Sequence, residues 1–177
     1  MRVVGRACAD ACPDFLNRKL NSVVWEGVAR VASVSVVHIQ DVTVREVWKR
    51  LVEDPSSVMI DVRTRSEWAY VGLPDLSGIG KQLLAVEWQT FPDNRINPDF
   101  VAVLSQVLEE TGVKKNAELF FICRSGGRSR MAAQVMTEAG YAYCRNVAEG
   151  FEGPLDASRH RGITSGWKVA GLPWVQG

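Results

Sequence analysis

Short apolar runs alternate with helix-period patterns from about residue 35 to residue 147 of this 177-residue chain. That alternation narrows the fold more than any other feature. Residues 35–39, 58–62, 82–86, 119–122 and 143–147 have the length and apolar content of buried strands. Residues 44–53, 66–70, 98–111 and 129–139 carry helical spacing. Thr43 is placed to cap the first helix, Asn97 with Pro98 opens the third, and Gly112 and Gly140 end the helices before them. Strands that alternate with helices build a mostly parallel sheet covered on both faces. The expected fold is therefore α/β and three-layered, with a central five-stranded sheet. Ligands of such sheets sit beyond the carboxyl ends of strands.

One such end carries reactive chemistry. Residues 119–130 read Leu-Phe-Phe-Ile-Cys-Arg-Ser-Gly-Gly-Arg-Ser-Arg. An apolar run stops at Cys123, a Gly- and Arg-rich loop follows, and a helical pattern begins at Ser129. A free thiol is mostly protonated at neutral pH. Amides at a helix start, together with Arg124 and Arg128, favour negative charge on the sulfur; lowering its pKa by about two units would ionise most of it. Gly126 and Gly127 are expected to let successive N–H groups converge on one point as an anion nest. Cysteine phosphatases need five residues between Cys and Arg, and here there are four. The tighter cradle suits a sulfur atom carried on the thiol better than a phosphoryl group.

The loop Cys123-Arg124-Ser125-Gly126-Gly127-Arg128-Ser129 resembles the active-site loop of the rhodanese sulfurtransferases. Other segments follow in that family's order. They are Met59-Ile60-Asp61-Val62-Arg63 with Ser66-Glu67-Trp68, Asn146-Val147 with Gly150-Phe151-Glu152-Gly153, and Trp167-Lys168 with Gly171-Leu172-Pro173. The similarity runs over residues 36–176 and implies a single-domain rhodanese-like protein. It implies a Cys123 nucleophile, with residues 124–129 (Arg124, Ser125, Gly126, Gly127, Arg128, Ser129) binding substrate. Which arginine meets the donor stays open. Asp61 and Arg63 are read as supporting residues, Asp61 pairing with Arg63 or capping a turn. The implied activity moves a sulfane sulfur from thiosulfate or a persulfide, through a Cys123 persulfide, to cyanide or a thiol. The alternative is a sulfur carrier or partner-binding module with little turnover of its own. Partners would be a small anionic donor, a small acceptor and a sulfur-relay protein. The segment from Asp156 to Gly166, with Arg159, His160 and Arg161, is longer than a minimal domain needs and is placed to shape an entrance.

Composition sets the remaining limits. Lys and Arg number 21 against 20 Asp and Glu, so no global charge steers the chain to nucleic acid or acidic membrane. No stretch approaches the ~20 apolar residues of a spanning helix. Four scattered cysteines make no disulfide framework, which points to a reducing, cytoplasmic setting. Cys144 reads as core. Cys8 and Cys12 lack the partners a zinc site needs, His38 and His160 form no recognisable triad, and no metal or organic cofactor is expected. Residues 78–81 lack the flanking Gly and Ser or Thr of a phosphate loop and read as a plain loop. Residues 1–35 form an N-terminal arm, either an amphipathic helix or disordered, and residues 36–177 form the domain. A monomer and a homodimer both remain open.

Overall fold

The computed structural model describes residues 38–177; the expected arm at 1–35 lies outside them. The sheet has five parallel strands in the order β1-β6-β5-β2-β4. These are β1 (Gln40–Val42), β2 (Val58–Asp61), β4 (Leu84–Ala85), β5 (Glu118–Ile122) and β6 (Tyr143–Val147). Between them run α1 (Val44–Glu53), α2 (Arg65–Val71), α3 (Phe100–Glu110) and α4 (Gly127–Glu138).

Strand alternation divides the core in two. Leu119 and Phe121 of β5 join Ile60, Phe100 and Leu104 of α3, and Ala132, Ala133 and Met136 of α4. Phe120 and Ile122 face the other way, with Met59, Val44, Val47 and Leu51 of α1, Trp167 and Leu172. The second layer is thus α1 and the C-terminal segment, joined at its edge by Val71 of α2 and by Leu76. Cys123 continues the α3/α4 face.

Several boundaries move. The first strand, expected at 35–39, begins at Gln40; residues 35–37 lie outside the described residues, and His38 and Ile39 precede the strand. The polar pair Gln40 and Asp41 concealed it from an apolar scan. Thr43 caps α1 as expected, accepting from the Glu46 N–H at 3.2 Å. The third strand shortens to Leu84–Ala85. Just upstream, Lys81 Nζ is held by the carbonyls of Asp54, Pro55 and Ser57, at 2.6–3.1 Å. Asn97 does not cap α3. Its Oδ1 accepts from the Asp99 N–H at 3.0 Å and its Nδ2 reaches the Glu87 carbonyl, so Asn97 and Pro98 form a turn before a helix that starts at Phe100. The loop expected at residues 78–81 is entered through a single 3-10 turn at Ser77–Ile79. A two-stranded antiparallel ribbon of β3 (Leu73–Pro74) and β7 (Trp174–Val175) was not foreseen, because two-residue strands leave no period to read. Among the described residues no helix is long and apolar enough to cross a membrane.

Candidate active site

β5 delivers Cys123 to the carboxyl edge of the sheet, and the chain then turns into α4 through Gly126. Gly126 has φ +90°, and a Cβ there would stand 2.3 Å from the Ala148 carbonyl oxygen. Gly150 makes the reciprocal approach: its Cβ would stand 2.5 Å from the Arg124 carbonyl and the Ser125 nitrogen. Three bonds close the clamp. The Phe151 N–H donates to the Cys123 carbonyl at 2.8 Å, and the Glu152 and Gly153 N–H groups donate to the Arg124 carbonyl at 3.0 and 3.2 Å. Gly127, expected to share the special backbone, does not. It is the first residue of α4, without positive φ and with open space where a Cβ would go. Gly126→Ala is therefore expected to destabilise the protein by more than about 1 kcal/mol, while Gly127→Ala stays within about 0.5 kcal/mol. Paired denaturant titrations check this, and equal costs at the two positions would contradict it.

The loop amides point to no protein acceptor. Among the described residues, no backbone N–H from Arg124 to Ser129 donates to a protein group, so six successive donors of the turn are left without a protein acceptor. Nor do they hydrogen-bond the sulfur, as the nest expectation required. The one hydrogen-bond partner of Cys123 Sγ among the described residues is the Ser129 hydroxyl at 3.2 Å. Cys123 is 1% exposed, and its side chain packs at the top of the α3/α4 core.

The loop arginines Arg124 and Arg128 line a cleft of about 600 Å³ together with Glu67, Phe91, Glu152 and Arg161 among others, and Cys123 itself is not part of its wall. The two loop arginines differ. Arg128 is fixed by a bidentate pair with Glu67, at 2.7 and 2.6 Å. Burial pushes the Glu67 carboxyl up, but the Arg128 guanidinium and Thr64 outweigh it and bring its pKa down to about 2. The pair is ionised at neutral pH and internally neutral. Arg124 is exposed and has no ion pair or side-chain hydrogen bond among the described residues. Arg161, from the long 156–166 segment, also reaches the cleft, steadied by a 2.6 Å bond to the Gly153 carbonyl.

Asp61 and Arg63 lie behind the loop, both fully buried. Arg63 Nη2 meets Asp61 Oδ2 at 2.6 Å, and its guanidinium carbon sits 4.1 Å above the Phe151 ring. Ser125 is half-buried and lies outside the cleft wall. Cys144 is buried in β6, where loss of solvent pushes its thiol up to about 11. Sequence reasoning did not give Glu67 its role. The Thr64-x-x-Glu67 capping box was the available signal, since it fixes Glu67 on the first turn of α2, beside the loop. Asn146, which accepts from Ser129, and Asp41, which accepts from Asn146, were missed as well.

The model of the STR4 middle domain matches residues 40–177, nearly all of the described chain. The chain belongs to the STR4 middle-domain family. A Rickettsia rickettsii relative, named only as an uncharacterized RP600 homologue, is 35% identical over 136 residues, which are 77% of this chain and 97% of the relative. The crystal structure of Rv0390 from M. tuberculosis superposes with a TM-score of 0.71 at 43% identity, covering 80% of this chain and all of that one. The chain is also similar, more distantly, to rhodanese-like proteins. Rhodanese-like domain-containing protein 4 of Arabidopsis thaliana, a chloroplastic protein, is 23% identical over 132 residues, 75% of this chain and 25% of its own length. The polysulfide-sulfur transferase homodimer of Wolinella succinogenes shares the fold, with a TM-score of 0.52 at 20% identity over 78% of this chain and 80% of that one. The chain's five-stranded α/β fold thus matches that of rhodanese-like proteins.

Proposed function

We propose that the protein is a sulfurtransferase that carries sulfane sulfur on Cys123. The observation that carries this reading is a buried thiol at a strand end, followed in the loop and first turn of α4 by six successive backbone N–H groups with no protein acceptor among the described residues. In the first half-reaction the Cys123 thiolate attacks the outer sulfur of thiosulfate. The S–S bond of the donor breaks, sulfite leaves with the electron pair, and a Cys123 persulfide anion remains. In the second, a thiolate or cyanide attacks the terminal sulfur, and Cys123 leaves as thiolate. Two half-reactions through one covalent intermediate give ping-pong kinetics.

Residues 124–129 supply the stabilisation. Their free N–H groups, at the start of α4, suit the charge on the terminal sulfur, and preorganised donors of this type are worth a few kcal/mol in a transition state. Arg124 and Arg161 draw the anionic donor into the cleft. Arg128, already neutralised by Glu67, shapes the wall rather than supplying net charge. Asp61 and Arg63 support the loop from behind through Phe151. A reducing compartment suits such a free thiol.

Incubation with thiosulfate followed by intact and peptide mass spectrometry tests this. A gain of about 32 Da, one sulfur atom, is expected on Cys123 and is expected to disappear on adding a small thiol. No adduct with thiosulfate or with an organic persulfide would refute the reading. An adduct that small thiols do not discharge would make the protein a sulfur carrier instead.

A further inference from the structure

Ser129 poses a question of proton counting. Its buried hydroxyl lies 3.2 Å from Cys123 Sγ and 2.7 Å from Asn146 Oδ1. A serine hydroxyl has one proton, so it can donate to only one of them at a time. The next residues along the chain decide which.

Strand pairing sets Asp41 of β1 beside Asn146 of β6, and Asn146 Nδ2 donates to Asp41 Oδ1 at 2.7 Å. The other Asp41 oxygen accepts from Arg130 Nη2 at 2.5 Å. Partial burial pushes the Asp41 carboxyl up, but the bonds from Asn146 and Arg130 outweigh it and hold it below its ordinary range. Ionised at neutral pH, it can only accept. The Asn146 amide must therefore turn its NH₂ to Asp41 and its carbonyl to Ser129. That carbonyl can only accept too, so it takes the Ser129 proton. The hydroxyl's lone pairs are left facing the sulfur.

We infer that Asp41, acting through Asn146 and Ser129, is a positioning residue that withholds the Ser129 proton from Cys123, so that the sulfur itself must supply the proton of their contact. The inference rests on Cys123 being the reacting thiol. Its consequence is a choice among sulfur states. A thiol donates to Ser129, whereas neither a thiolate nor the inner sulfur of a persulfide has a proton to give. A bare thiolate meets lone pairs unless Ser129 turns and leaves the Asn146 carbonyl buried without a donor. The chain thus favours the protonated thiol over the thiolate, the form most open to stray oxidants and alkylating agents.

Asp41→Asn reverses the chain without touching the core. Arg130 can only donate, so it draws the oxygen of the new carboxamide, whose NH₂ then faces Asn146. Asn146 turns over, donates to Ser129, and frees the hydroxyl proton for the sulfur. The second-order rate of iodoacetamide alkylation at Cys123, resolved by peptide mapping from Cys8, Cys12 and Cys144, is expected to rise about threefold to tenfold at neutral pH. Arg130→Ala removes the ion pair but keeps the carboxylate, so its rate is expected to stay within about twofold of wild type. In a Ser129→Ala background the Asp41→Asn effect is expected to vanish. An unchanged or slower rate in Asp41→Asn, or a rise that persists without Ser129, would overturn the inference. Alkylation reads the thiol and not sulfur transfer, so this result and the sulfur-loading result can fail separately.

Discussion

Cys123→Ser is expected to cut thiosulfate-to-cyanide sulfur transfer by about a thousandfold or more, the scale seen when a covalent nucleophile is removed. The fold is expected to survive. The substitution changes one buried atom, and the new hydroxyl can donate to Ser129 Oγ, so stability should fall by no more than about 1–2 kcal/mol. Thiol competition within the chain is addressed by a companion variant. Cys144 sits in β6 with its thiol pushed up to about 11 by burial, which removes it as a competent second nucleophile. Cys144→Ser is therefore expected to keep wild-type kcat/KM. Steady-state assays of both variants, with circular dichroism as the check on folding, separate the roles of the two thiols. Residual transfer above a tenth of wild type in folded Cys123→Ser would move the nucleophile elsewhere.

The frame of this protein was legible wherever one residue's neighbours in sequence were also its neighbours in force. β6 falls on the residues that the apolar run proposed, and Thr43 caps α1 because a cap is a local bond. The turn after Cys123 was legible for the same reason: a strand, a loop with glycine and a helix follow one another without interruption. Its details were not. Gly126 needs its freedom because of Ala148, and Gly150 because of Arg124, contacts made across more than twenty residues. Gly127 shows the converse, a glycine whose local surroundings look special in sequence and impose nothing in space. Pairings at long range were hidden similarly. Arg128 looked like an open cation until Glu67, sixty-one residues earlier, proved to hold it. The polar chain from Asp41 to Ser129 depends on the register of β1 with β6, which no periodicity specifies. β1 itself was displaced because its polar residues serve that chain rather than the core.

Asp61→Ala is expected to cost about 3–5 kcal/mol of unfolding free energy, the largest stability effect of any single change outside the apolar core. Asp61 and Arg63 have no exposed side-chain surface. Arg63 Nε lies 3.0 Å from each Asp61 oxygen, Nη2 lies 2.6 Å from Oδ2, and Nη2 also donates to the Gly72 carbonyl at 2.7 Å. Arg63 Nη1 has no hydrogen-bond partner even with Asp61 in place. Removing the carboxylate leaves a buried guanidinium with one carbonyl and the Phe151 face, which is too little to replace water around a full charge. Asp61 Oδ1 also accepts the Arg63 backbone N–H at 2.9 Å, so the loss strands a second donor. Removing both charges is cheaper than removing one, because desolvation of the survivor dominates the single variant. The double change Asp61→Ala with Arg63→Met is therefore expected to be more stable than Asp61→Ala alone. Urea titrations of the two singles and the double form the required cycle. If Asp61→Ala cost under about 1 kcal/mol, or if the double variant were the sum of the singles, the pair would not hold the loop's foundation. Because Arg63 stacks on Phe151, and the Phe151 N–H grips the Cys123 carbonyl, that foundation is tied through one residue to the backbone of Cys123.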